Sequence, residues 1–263
     1  MDQFPQTPDE GPPCLSEPSM SLGGRLVNIF AAPGEVFDSV KAASSSHANW
    51  LVPALVLMLV SWLGAWLILS QPAIQSQLSD LAQKQIQKMV EKGRIPKDKA
   101  DAISESAARM SRIQAAGAAV IIPIFIALVS PFWWGLWLWL VGRKALKGEF
   151  RFMKAVEVVG LANMIGVLGE VIRMLLVISL GNILATPSLS LLLRNPDPQS
   201  TIFGLLSLLN VMTLWELGTR SVGLARISNT STGKAAIWVF GLWLGFMGFL
   251  FGVGQAVRLA FGG

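Results

Sequence analysis

Runs of apolar residues, long enough to cross a bilayer and nearly free of charge, leave this chain few folds to choose from. Residues 50–70 contain no Asp, Glu, Lys or Arg. A helix of that length spans a hydrocarbon core of about 30 Å. Comparable runs follow at residues 113–141, 155–180, 201–224 and 234–259. The pattern predicts an all-α polytopic membrane helical bundle with about five transmembrane helices, and residues 50–263 form that membrane domain. Charged residues are 14% of the chain, against about 25% in soluble domains, so no water-facing fold is expected. The chain has no Tyr, for which we have no physical account.

The segments outside the runs differ in kind. Residues 1–20 hold five Pro and four acidic residues with no Lys or Arg, the composition of a disordered acidic tail. No basic-then-apolar leader is visible there, so the first span is expected to act as its own insertion signal. Residues 21–49 contain two short amphipathic pieces. Leu22, Leu26, Ile29 and Phe30 recur at helical spacing; Pro33 opens a second helix with Glu35 in its first turn, and Val36, Phe37 and Val40 share a face. These are predicted to lie on the membrane surface, with Trp50 as an interface anchor and Pro53 tolerated in the first turn of the span. Residues 71–112 carry two regular apolar stripes separated by Gly93 and Ile95-Pro96, and are predicted to form an extramembrane helical hairpin. Pro123 and Pro131 suggest a kink or a re-entrant bend in the second span. A short interfacial helix is expected within residues 184–199.

The net charge of +5 comes from Lys and Arg in the gaps between spans, where they meet lipid head groups and set orientation. A nucleic-acid partner is therefore not expected. The short basic loops at residues 143–154 and 226–234 favour a cytoplasmic N-terminus, although residues 71–112 carry eight Lys or Arg against five Asp or Glu. The expected location is the cytoplasmic membrane of a bacterium.

Charges inside a span are rare and draw attention. The third span holds Glu157, Asn163, Glu170 and Arg173; Glu170 and Arg173 are three residues apart on one face and are placed to pair. Two readings stay open: a path for an ion or substrate, or an ion pair that fixes helix packing. Glu216 and Arg220, four apart in the fourth span, read as a structural pair. Gly241, Gly245, Gly248 and Gly252 place four small residues on one stripe of the last span, a signal for close helix contact within the bundle or between subunits.

Enzymatic signals are missing from the sequence. Cys14 and His47 are the only residues of their types, so no disulfide, no cysteine-based metal site and no Cys–His dyad is expected. There is no HExxH, no nucleophile elbow and no phosphate-binding glycine loop. No catalytic residue, metal or cofactor is assigned.

The stretch at residues 26–68, with Phe30, Pro33, Glu35 and Phe37 followed by Trp50 and Pro53, resembles the bacterial branch of the Yip family of Ypt/Rab-interacting membrane proteins. Leu214, Trp215 and Gly223 resemble the family's Trp-to-Gly signature before the last span. The resemblance implies a five-span bundle with a cytoplasmic N-terminus. Eukaryotic members are adaptors for Rab-type GTPases in vesicle trafficking; the hairpin and the short tail depart from that pattern, so Rab binding is not carried over. The sequence thus points to a non-enzymatic membrane adaptor or scaffold that binds other membrane proteins or itself. The alternative is a small transporter or transporter subunit working through the intramembrane Glu170/Arg173 pair.

Overall fold

A computed structural model of the chain describes residues 20–96, 100–194, 196–198 and 200–261, without the side chains of 100–102, 104, 105, 108 and 257–261. The acidic tail, apart from Met20, and Cys14 lie outside the described residues. Charge-free apolar stretches become helices because a helix satisfies its backbone groups internally, as lipid demands. The described residues form α1 (Leu22–Asn28), α2 (Pro33–Ala42), α3 (Ala48–Leu69), α4 (Pro72–Glu91), α5 (Ala100–Lys144), α6 (Phe152–Leu180), α7 (Thr201–Leu208), α8 (Val211–Ser228) and α9 (Thr232–Phe261). Between α6 and α7 lies a 3-10 turn at Leu189–Leu192, which takes the place of the short interfacial helix expected there.

Among the described residues, four helices are long and apolar enough to cross a membrane: Ala48–Leu69, Arg109–Lys144, Phe152–Leu180 and Thr232–Ala256. The molecule is a polytopic helical membrane bundle. At its centre α6 packs against α3, α5 and α8, while α8 carries α9 and α2 on other sides. A main core joins Ile29, Phe37, Leu138, Val158, Leu224 and Val239, all buried and drawn from both ends of the sequence.

The fourth passage differs from the expectation. Residues 201–224 are not one span but α7 and α8, broken at Leu209–Asn210. The Asn210 carboxamide accepts from the N–H of Met212 at 2.9 Å and of Thr213 at 3.3 Å, starting a new helix. The Leu209 carbonyl meanwhile accepts from Leu189 N–H, and Val211 N–H donates to Pro187. An apolar run says nothing of such a break, because hydropathy is blind to backbone pairing. The chain still returns to the end where α6 begins, with Met212 against Gly169 and Gly223 against Val158. Neither α7 nor α8 is among the helices long and apolar enough to cross a membrane, and the expected fourth span is replaced by α8 running back along α6.

Two other expectations are amended. The apolar face of α2 does not meet lipid: Val36, Phe37 and Val40 are fully buried against protein. The second span shows no re-entrant bend, since α5 runs 45 residues through Pro123 and Pro131 without interruption. Pro123 frees carbonyls one turn before it, and Trp62 Nε1 donates to the Val120 carbonyl there at 3.1 Å. The hairpin is present as α4 packed on the extended start of α5. Gly93, at φ +71°, takes the left-handed conformation that closes α4.

Candidate functional site

At one end of the bundle α1 and α2 form a small cap, held by a buried polar joint. Glu157, fully buried in the second turn of α6, accepts from Asn49 Nδ2 at 2.6 Å and from the Ser46 N–H at 3.3 Å. The Lys154 ammonium stands 3.5 Å from its Oε1 and donates to the carbonyls of Val40 at 2.6 Å and Ala43 at 2.9 Å. Asn49 turns its oxygen to Arg25 Nη1 at 3.2 Å, and Arg25 also donates through Nε to Ser39 Oγ at 3.0 Å. A buried carboxylate is tolerated when its lone pairs are filled and a cation is near. The joint meets both conditions and ties α1, α2, the start of α3 and the start of α6 together.

Sequence reasoning found Glu157 in this joint but missed Arg25, Ser39, Ser46, Asn49 and Lys154. Those five stand just outside the apolar runs, where polar residues look like solvated hinge or basic loop. The usable signal was that a span-embedded Glu needs partners at its own depth.

The remaining polar residues form two further groups rather than one cluster. Arg220 Nη2 donates to Asn163 Oδ1 at 3.1 Å and pairs with Glu216. The Arg220 guanidinium carbon also lies 5.5 Å from the centroid of the Trp134 ring. That group pins α5, α6 and α8 to one another. Glu170 and Arg173 pair on α6, with Nη2 to Oε1 at 2.7 Å and Nε to the two oxygens at 3.2 and 3.1 Å. Both are about a quarter to a third exposed, and they edge a cavity of about 360 Å³ between α3, α5 and α6.

The glycine stripe of α9 is open. A Cβ added at Gly241, Gly245, Gly248 or Gly252 would meet nothing within 4 Å. On that side these glycines make no close contact with the described residues. Gly241 and Gly245 also wall a cavity of about 490 Å³ whose other side is Trp133, Trp134 and Trp137 of α5. Among the described residues no cluster of His, Cys, Asp and Glu is placed to hold a metal ion.

The motif residues from the two halves of the sequence meet in space. Phe30 packs edge-on to Trp215 with centroids 6.1 Å apart. Phe37 abuts Gly223, where an added Cβ would lie 3.1 Å from its ring and 2.4 Å from Val158 Cγ1. Pro33 occupies the first position of α2, and Glu35 is exposed in its first turn. Trp50 stacks edge-on to Phe132 at 4.9 Å and lays its backbone on Gly160. Pro53 is buried one turn further along α3. Arg226 and Asp38 add an exposed ion pair at 3.2 Å across the same seam. The cap is thus seated in a socket shaped by α8, with small residues where rings must fit.

The family model of the Yip1 domain matches residues 27–254, a stretch that holds both halves of this seam. No curated protein and no solved structure matches the chain. The chain belongs to the Yip1 domain family.

Proposed function

From membership of the Yip1 domain family, we propose that this membrane protein is a non-enzymatic adaptor or scaffold that binds another membrane protein, or a second copy of itself, along α9. The observation that carries the reading is the open glycine stripe: four small residues at close-packing spacing, where an added Cβ would meet nothing among the described residues. In lipid, helices associate through close backbone approach, and small residues on one stripe provide it. The α1–α2 cap gives the scaffold a fixed base. Its orientation is cytoplasmic, in a bacterial cytoplasmic membrane. Support comes from the basic loops at residues 143–154 and 226–234, which stand at the cap's end of the bundle. Lys154 bonds to Val40 and Ala43, and Gly148 lies against Ser228.

Mild-detergent purification from native membranes, with crosslinking and mass spectrometry, tests this reading. A near-stoichiometric partner, or a homo-oligomer, is expected. Gly245→Leu should weaken that association about tenfold or more, because the added side chain enters the interface. It should leave the fold unchanged, since a Cβ at Gly245 meets none of the described atoms within 4 Å. A protein that purifies alone as a monomer overturns the reading.

The cavity beside Glu170 and Arg173 is what supports a second reading, a small transporter or transporter subunit. Against it stands the way the intramembrane charges close on one another in separate groups. Unchanged solute flux in vesicles carrying folded Glu170→Gln removes the transport reading.

A further inference from the structure

We infer that the cavity between α3, α5 and α6 is a binding site for one phospholipid, its phosphate held by Arg173 and an acyl chain lying along the apolar walls. The inference is independent of the adaptor reading. The walls are apolar: Leu57 and Ile68 from α3, with Ala118 and Ile122 from α5. Among the described residues, the only charged groups that line it are Glu170 and Arg173. A volume of about 360 Å³ lies within the usual range for small-molecule sites. A wholly apolar ligand would leave the two charges without service, and a small polar ion would leave the walls empty. An amphiphile matches both.

The ion pair has capacity to spare. Glu170 engages Nε and Nη2 of Arg173, and no hydrogen bond joins Nη1 to the described residues. That nitrogen carries two donors in the planar fork that suits phosphate oxygens. Glu170 keeps unfilled lone pairs for a head-group ammonium. The paired charges therefore suit a zwitterionic head group, with the anion toward Arg173 and the cation toward Glu170.

Depth agrees with this assignment. The 29 residues of α6 make about 43 Å of helix, so a centred helix overhangs a core of about 30 Å by about 6 or 7 Å at each end. Arg173 lies seven residues before Leu180, or about 10 Å along the axis. It therefore sits just inside the core boundary, close to the head-group layer, with its guanidinium turned back along α6 to Glu170 at the cavity's edge. Ile68 and Leu69, at the end of α3, mark the same side of the bundle.

The test is native mass spectrometry of the delipidated full chain, titrated with phosphatidylethanolamine, with diacylglycerol of the same chains, and with glycerophosphoethanolamine. One phosphatidylethanolamine should bind at least about tenfold more tightly than either of the others, since charge-assisted hydrogen bonds and the apolar walls both contribute. Arg173→Gln should erase the preference over diacylglycerol. Ala118→Trp, which fills the cavity from the opposite wall and leaves the ion pair intact, should abolish binding and decides the matter if Arg173→Gln does not fold. Equal binding of phospholipid and diacylglycerol overturns the proposal. So does equal binding of the chain-free head group, or tight phospholipid binding that survives Ala118→Trp.

Discussion

Glu157→Ala is expected to lower the stability of the bundle by about 3 kcal/mol and to loosen α1 and α2 from it. The carboxylate is fully buried and is the acceptor for Asn49 Nδ2 and the Ser46 N–H. Its removal leaves both donors unfilled in a water-poor site and takes the counter-charge from Lys154, 3.5 Å away. An unfilled buried donor costs about 1–3 kcal/mol, so two of them and an uncompensated cation account for the figure. Glu157→Gln is expected to keep part of the loss, because a carboxamide must turn an NH₂ toward either Asn49 or Ser46, both donors. Chemical unfolding in detergent reads the stability, and amide exchange over residues 22–42 reads the cap. Glu149→Ala, at an exposed position in the adjoining loop, should stay within about 0.5 kcal/mol of the parent.

The second large effect belongs to Gly160. An added Cβ would lie 2.4 Å from both Cα and Cβ of Trp50 and 2.9 Å from the Asn49 carbonyl oxygen. Backbone stands on both sides of that contact, so no side-chain rotation relieves it. Gly160→Ala is therefore expected to cost about 3 kcal/mol through overpacking and to push the first turn of α3 away from α6. That movement also lengthens the 2.6 Å bond from Asn49 to Glu157. The two substitutions strike one joint, so their combined cost should fall short of the sum. Gly117→Ala and Gly218→Ala meet nothing within 4 Å, and both should be neutral or stabilising by up to about 1 kcal/mol. A Gly160→Ala protein with unchanged stability would mean that α3 and α6 are farther apart than described.

What the sequence disclosed follows from how each feature is encoded. Hydropathy alone locates α3, α6 and α9 to within a few residues, because a long apolar run with few charges has to be a helix in a membrane bundle. Pro33 announced α2, since its fixed φ and missing N–H suit a first helical position. Gly93 announced the end of α4 for the matching reason. Asn210 was the hidden case: one polar residue within a long apolar run, whose cap breaks the helix without altering the hydropathy.

The burial of α2 was hidden differently. An amphipathic helix shows the same stripe whether it lies on lipid or on protein, and only the α8 socket distinguishes the two. The resemblance to the Yip family picked out Phe30 and Phe37 near one end and Trp215 and Gly223 near the other. That these residues touch is long-range information, which local spacing does not carry. The ion pairs within α6 and within α8 were legible because helical geometry fixes neighbours three and four residues apart. The bond from Arg220 to Asn163 joins two helices and was not legible.

The most direct test of α9 as a docking face is photocrosslinking in native membranes from a photoreactive side chain placed at Gly245. A single protein adduct, with the same partner or a second copy of the chain each time, is the predicted result. It should disappear when Gly241→Leu and Gly248→Leu are added to the same chain. Adducts with lipid alone, or a protein adduct indifferent to those two substitutions, would contradict the account.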